Sequence, residues 1–171
     1  MGLKTKRVAL ATIFGAIIFL SKTFLPYPID KMFMIVHALL LALGALLLGR
    51  MGATYVSVIG GVLTALWRTA TAPFTFFFAL LYGLFVDLFF FILKVNITEG
   101  TVKTSRLVAS MAIGTAFVGG ISYYTTVYLV PLLPRNAVLE RSILIIGTLS
   151  GAVAGYLASN IWSRYLRNVR L

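Results

Sequence analysis

The residues able to do chemistry are few, and their scarcity is informative. There is one histidine, there are four acidic residues, and there is no cysteine. Disulfides and thiolate metal sites are therefore impossible, and a multi-histidine metal cluster is excluded. Four acidic residues do not supply the clustered aspartates of a metal-dependent membrane transferase. No G-x-x-x-x-G-K-S/T loop, H-E-x-x-H or G-x-S-x-G occurs, so ATP hydrolysis, zinc proteolysis and the nucleophile-elbow hydrolases have no motif to work with. The chain reads as a non-enzyme with no cofactor and no metal. What remains is a set suited to stacking and hydrogen bonding: His37, Trp67, Arg68 and Tyr82, then Tyr123, Tyr124, Tyr128 and Glu140. Such a mixture fits a pocket for a small cyclic ligand.

The elements that must position these residues follow from composition. Of 171 residues, 60% are hydrophobic and 11% are charged, against roughly 25% charged in a soluble domain. A bilayer is the solvent that accommodates this balance. Apolar runs punctuated by Gly and Pro predict an all-α membrane protein, a single six-helix bundle with helices over about 8–25, 32–48, 53–67, 74–94, 107–130 and 137–166. Each run is close to the ~20 residues that a span needs, with the second and third short, which implies tilted neighbours or burial within the bundle. The segment from Pro26 to Lys31 breaks the first run, and the polar stretch from Val95 to Arg106 separates the fourth from the fifth.

Net charge is +11, but the basic residues flank apolar runs. That is the pattern of topology signals and lipid contacts rather than of nucleic-acid binding. With the N-terminus inside, the inner ends carry ten cations, namely Lys4, Lys6, Arg7, Arg50, Lys94, Lys103, Arg106, Arg164, Arg167 and Arg170; the outer ends carry five, Lys22, Lys31, Arg68, Arg135 and Arg141. Both termini are expected in the cytoplasm and the protein in the cell membrane, multi-pass. The polar set then falls near the outer side, joined by Lys22, Thr64 and Thr75, while Asp87, Asn160 and Trp162 fall near the inner side.

Ordinary structural roles compete with ligand contact. An interfacial aromatic belt accounts equally for Trp67, Tyr128 and Trp162, near helix ends. Tyr123 and Tyr124 point about 100° apart on a helix, so at least one faces protein. His37 is a packing partner or a ligand contact, Arg68 can snorkel, and Glu140 with Arg141 can brace the last loop. Asp87, the one acid deep in a span, is a proton relay or a pairing partner. Small residues form stripes at four-residue spacing: Gly147, Gly151 and Gly155 in the sixth helix, Ala112, Ala116 and Gly120 in the fifth, Ala11 and Gly15 in the first. In lipid such stripes let helices approach closely. Those of the fifth and sixth helices are read as bundle packing. The Ala11, Gly15 and Ala16 face, beside a basic N-terminus, is read as a docking surface for another membrane protein.

A small, basic, six-helix chain with no ATPase motif resembles the substrate-binding S-components of energy-coupling factor (ECF) vitamin transporters. Arg7–Val8–Ala9–Leu10–Ala11–Thr12–Ile13–Phe14–Gly15–Ala16 is similar to that family's first helix, whose Ala-x-x-x-Ala motif docks a transmembrane scaffold. Here the match is Ala11-x-x-x-Gly15, with Thr12-x-x-x-Ala16 as a second option. The Gly83-x-x-x-Asp87 segment is similar to the family's fourth helix. The resemblance implies high-affinity capture of a vitamin or precursor at the outer ends of helices four to six, a lid between helices one and two, and release driven by a scaffold subunit and two ATPases. Thiamine or its hydroxymethylpyrimidine precursor is favoured for the heteroaromatic ring, and riboflavin and anionic vitamins stay open. The rival readings are a stand-alone secondary transporter or channel, which needs Asp87 as its coupling residue, and a non-transporting membrane scaffold.

Overall fold

The computed structural model describes residues 3–24, 34–69, 72–95, 97–98, 101–129 and 137–166. Six helices account for nearly all of them: α1 (Leu3–Thr23), α2 (Met34–Leu48), α3 (Gly52–Trp67), α4 (Ala72–Ile92), α5 (Thr104–Tyr124) and α6 (Ala137–Ile161). A five-residue π-helical turn extends α5 over Thr125–Leu129 and another extends α6 over Trp162–Leu166. A two-residue ladder, β1 (Ile97–Thr98) against β2 (Thr101–Val102), folds the polar connection between α4 and α5. The chain is thus all-α, with the six expected helices. Four observed starts are earlier than expected, those of α1, α3, α4 and α5. α1 begins at Leu3, so its basic residues belong to the helix rather than precede it. α4 includes Pro73 in its first turn, where the missing N–H has no helical partner to lose.

Three helical stretches are long and apolar enough to cross a membrane: Ala72–Ile92, Thr104–Leu129 and Glu140–Leu166. α2 and α3 are shorter apolar helices. The partition of side chains is that of a protein solvated by lipid. Phe91 (80% exposed), Leu66 (71%) and Leu149 (60%) face outward, whereas Ser57, Thr64, Ser110, Thr115 and His37 are buried. In water that arrangement exposes apolar surface and hides polar groups, the reverse of what burial rewards; in lipid the interior is the place where polar groups find partners.

The shortest helix holds the centre. α2 touches all five others, and ten of its fifteen residues are buried, from His37 and Ala38 through Leu48. A helix enclosed by protein does not itself have to match the bilayer thickness, which is why a short α2 is tolerated. The most extensive pairings are α5 with α6 and α3 with α4.

Close approach explains the small-residue stripes. A side chain at Gly155 would begin 2.9 Å from Val108 Cα, and one at Gly151 would run into the Met111 carbonyl. The Gly147–Gly151–Gly155 stripe therefore packs α6 on the backbone of α5, as expected. On α5 the buried face includes Met111, Thr115 and Gly119, one position away from the expected Ala112–Ala116–Gly120 stripe, which is half-buried. On α1 the outcome differs more. Ala11 is 3% exposed, and a side chain at Gly15 would begin 2.8 Å from Ile59 Cγ2 and 3.0 Å from the Gly60 amide nitrogen. Gly15 thus packs against α3 and Ala11 is buried, so the face expected to dock a second protein is turned into the bundle at both positions. Thr12 is exposed and Ala16 half-buried, so the second option, Thr12-x-x-x-Ala16, is the small-residue pair on the outward side.

Candidate functional site

The turn between α2 and α3 fixes the end of the bundle that holds Asp87. Gly49 takes φ +73° and Met51 φ +65°, a left-handed pair that closes α2 and turns the chain within four residues. α3 then starts at Gly52 with no capping side chain of its own. Its cap arrives from α4: Asp87 Oδ1 accepts from the Ala53 N–H at 3.2 Å, and Oδ2 accepts from the Thr54 N–H at 2.8 Å and from the Thr54 hydroxyl at 2.6 Å. Gly83, one turn earlier, makes this reach possible, because any side chain there would collide with Ser57 Oγ. The Gly83-x-x-x-Asp87 segment is therefore a helix-packing and helix-capping device. A carboxylate at a helix N-terminus also meets the positive end of the helix dipole. Asp87 lines an open groove of about 650 Å³ with Arg50, Leu84, Leu88 and Phe91.

The other end carries the sequence-predicted binding residues, and they divide into two groups. His37, Arg68 and Tyr82 line one cavity of about 250 Å³, together with Lys22, Thr64 and Thr75. Side chains from α1, α2, α4 and α5, with the end of α3, enclose it. Tyr123, Tyr124, Tyr128 and Glu140 line a second pocket of about 220 Å³ between α5 and α6, with Gly120 and Leu144. Val118 faces the first and Gly120 the second; two residues apart on a helix, they are about 200° around its axis. The residues expected in one site on helices four to six thus line two pockets, and the one with the more buried walls draws on α1 to α5. Trp67 lines neither; it is 65% exposed and meets Phe19 edge-on at 6.4 Å, as an interfacial aromatic would. Trp162, expected in the inner belt, is instead buried.

Within the first cavity a chain of polar contacts crosses three helices. His37 on α2 lies edge-on to Tyr82 on α4, with ring centroids 5.1 Å apart. The Tyr82 hydroxyl is 2.9 Å from Thr115 Oγ1 on α5. Thr115 gives its one hydroxyl hydrogen to the Met111 carbonyl at 2.7 Å, so in the pair it is Tyr82 that donates. Tyr82 is spent as a donor inside the bundle and serves to hold the His37 ring. Thr64 likewise donates to the Gly60 carbonyl at 2.7 Å, leaving its oxygen as an acceptor. Arg68 Nη2 donates to the Lys22 carbonyl at 2.5 Å, joining the ends of α3 and α1 at the mouth.

His37 is the exception in this accounting. It is 7% exposed, and its Nε2 has no hydrogen-bond partner among the described residues. Buried polar groups are nearly always paired, and leaving one unpaired costs about 1–3 kcal/mol. The unpaired nitrogen and the cavity belong to the same residue.

The second pocket has the more exposed walls. Tyr124 and Tyr128 stack at 4.9 Å and are 56% and 46% exposed, with Tyr123 buried behind them. Sequence reasoning missed Met34, Phe78, Ala79 and Val118 as walls of the first cavity; apolar residues there carry no signal that separates a cavity wall from ordinary core. The segment expected to act as a lid, Pro26 to Lys31, lies outside the described residues, as do Pro131, Pro134 and Arg135. No protein-family model, no curated protein and no solved structure matches the chain.

Proposed function

We propose that the chain is a multi-pass membrane protein whose six helices all lie across the bilayer with both termini in the cytoplasm, and that it is the substrate-binding subunit of an ATP-driven importer of the ECF type. The reading is carried by His37, a residue that lines a polar cavity at the end of the bundle with fewer cations, is held by Tyr82, and has a buried ring nitrogen with no partner among the described residues. A resident ligand would complete that nitrogen's hydrogen bonding. The cavity's volume, at the lower end of small-molecule sites, suits a vitamin or vitamin precursor. The absence of a nucleotide-binding loop assigns energy supply to partner subunits, a transmembrane scaffold and two ATPases.

The state of Asp87 favours a binding subunit over a stand-alone carrier. A proton-coupled carrier needs an ionisable group free to exchange its proton, and Asp87 is held by three hydrogen bonds at the start of α3. For docking, Thr12 and Ala16 replace Ala11 and Gly15 as the contact residues on α1.

The deciding experiment is to purify the protein in mild detergent, denature it, and identify released small molecules by mass spectrometry. One vitamin-sized compound in near-stoichiometric amount is expected from the wild type and a reduced amount from His37→Phe. A protein that carries no such compound and gains none on incubation with a vitamin mixture would overturn the reading. Reporter fusions after Asn96 and at the C-terminus test the topology; both are expected to read cytoplasmic.

A further inference from the structure

The groove beside Asp87 is roomier than either outer pocket, about 650 Å³ against 250 and 220 Å³, and the proposed ligand site makes no use of it. Two surfaces form it. One is the outward stripe of α4, where Leu84, Leu88 and Phe91 recur at i, i+4 and i+7 and are all exposed. The other is the end of α2, where Ala45 and Leu46 are buried. From Leu84 to Phe91 the apolar stripe runs about 10 Å along the helix axis. That is most of the roughly 15 Å that one leaflet of hydrocarbon supplies.

The end of this groove is charged, and cations dominate it. Arg50 lines it from the turn between α2 and α3; it is exposed, and its guanidinium makes no hydrogen bond or ion pair among the described residues. Asp87 lines the groove too, but its oxygens accept three hydrogen bonds from the first turn of α3. The neighbouring helix ends are basic as well: Arg106 Nη1 donates to the Lys94 carbonyl at 3.3 Å, joining the end of α4 to the start of α5. By sequence this end carries ten of the fifteen cations and two of the four acidic residues, Asp87 and Glu99. Glu99 lies outside the described residues; whichever cation it meets, it neutralises one and leaves the surplus.

We infer that the groove binds an anionic phospholipid of the leaflet at this end of the bundle. Its phosphate lies against the Arg50 guanidinium, whose planar fork matches two phosphate oxygens, and one acyl chain lies along Leu84, Leu88 and Phe91. The Asp87 carboxylate repels the phosphate and so keeps it on the Arg50 side. A neutral headgroup would satisfy the apolar stripe and leave Arg50 unused; free phosphate would satisfy Arg50 and leave the stripe bare. Only a lipid that carries both parts uses the whole groove. Under the topology proposed above the leaflet is the cytoplasmic one, where anionic lipid attracts basic helix ends. Binding in detergent does not depend on the leaflet, so a failure there is separate from a failure of that topology or of the vitamin reading.

The test titrates the full chain in detergent with phosphatidylglycerol, with phosphatidylcholine of the same acyl chains, and with glycerol phosphate, and reads the bound fraction by native mass spectrometry. Phosphatidylglycerol is expected to bind about ten-fold tighter than phosphatidylcholine, and glycerol phosphate not at all over the same concentrations. Arg50→Gln is expected to abolish the preference and Arg50→Lys to keep part of it, while Arg141→Gln, at the other end of the bundle, leaves it within two-fold. The Arg50 side chain holds no structural bond among the described residues, so these variants are expected to fold, and Arg50→Lys keeps the charge in any case. A photoactivatable phosphatidylglycerol is expected to label Arg50–Met51 or Leu84–Phe91. Equal binding of the two lipids, or equal loss in Arg50→Gln and Arg141→Gln, overturns the inference. So does labelling confined to other segments. Glycerol phosphate that binds as tightly as the lipid overturns it too, since the groove would then hold a free phosphate.

Discussion

His37 and Asp87 sit at opposite ends of one bundle, and their hydrogen bonding is opposite. Asp87 is fully engaged, with both carboxylate oxygens directed to the first turn of α3. His37 is held in place by an aromatic edge contact, and its buried Nε2 has no partner among the described residues. From sequence the two looked alike, as expensive polar residues that need a reason. The structure separates the reasons. Asp87 offsets its cost inside the fold, so its role is architectural. His37 does not among the described residues, and the proposed ligand is what would offset its cost. Five substitutions sharpen or break that contrast.

The largest effect is expected at Asp87. Asp87→Ala removes three hydrogen bonds from a half-buried group to the first turn of α3, the only side-chain cap of that turn among the described residues. A loss of about 2–3 kcal/mol of stability is expected from caps and charge-assisted bonds of this kind, read as a lower unfolding temperature in detergent. Ligand affinity of the folded protein is expected to hold within about two-fold. A fully stable Asp87→Ala protein that binds ligand but no longer supports uptake would restore the proton-relay role.

Next is Gly15→Leu. The new side chain would overlap Ile59 and the backbone of Gly60, and overpacking of a tight interface costs typically about 1–3 kcal/mol. Ala16→Leu, on the outward side of the same helix, is expected to leave thermal stability unchanged and to reduce uptake with the partner subunits. If Gly15→Leu is stable and Ala16→Leu transports normally, α1 packs and docks with the opposite faces from those described.

These two residues also show what the sequence could convey. The apolar runs and their Gly and Pro punctuation placed all six helices within a few residues, because lipid solvation selects on average hydrophobicity and length. Glycine spacing identified close helix contacts correctly on α6. It could not say which neighbour fills a stripe, and on α1 the neighbour is α3. Depth along a helix was legible too, so Arg68, His37 and Tyr82 were rightly placed at one end. Their division from Tyr123, Tyr124, Tyr128 and Glu140 was not, since it depends on how α5 is rotated: Val118 and Gly120 look into different pockets. Nor does any periodicity reveal that Tyr82 has donated its hydrogen to Thr115 while His37 Nε2 has no partner. Hydrogen-bond satisfaction is a property of three-dimensional neighbours.

A moderate effect of opposite character is expected at His37. His37→Phe preserves the ring and its edge contact with Tyr82 but removes the unpaired nitrogen. Replacing an unsatisfied buried group by an apolar one of similar shape is near-neutral or stabilising, so the unfolding temperature without ligand should hold or rise. Affinity for the compound that co-purifies with the wild type should fall about ten-fold, the equivalent of one lost hydrogen bond at about 1.4 kcal/mol. Asp87→Ala and His37→Phe would then trade places: one loses stability and keeps binding, the other keeps stability and loses binding. Loss of both properties in both variants would erase the distinction between the two ends.

The smallest effect is expected at Trp67, and it bounds the site. Trp67 was a candidate contact by type and depth, and it precedes Arg68 in the chain. Its ring is nevertheless 65% exposed, packs edge-on to Phe19, and lines neither outer pocket. A residue that the ligand never meets can alter binding only by moving one that it does meet. The one route available is through Arg68, whose backbone N–H bonds to the Thr64 carbonyl at 2.8 Å and whose guanidinium is tied to Lys22. Neither bond involves the indole. Trp67→Ala is therefore expected to shift ligand affinity by less than about two-fold, well under the ten-fold that 1.4 kcal/mol would produce, and to weaken interfacial anchoring only slightly. Titration of Trp67→Ala beside His37→Phe with the same compound makes the comparison direct. A ten-fold loss at Trp67 would mean that the ligand extends beyond the mouth of the cavity onto the outer rim of α3, and the boundary drawn at Arg68 would have to move outward.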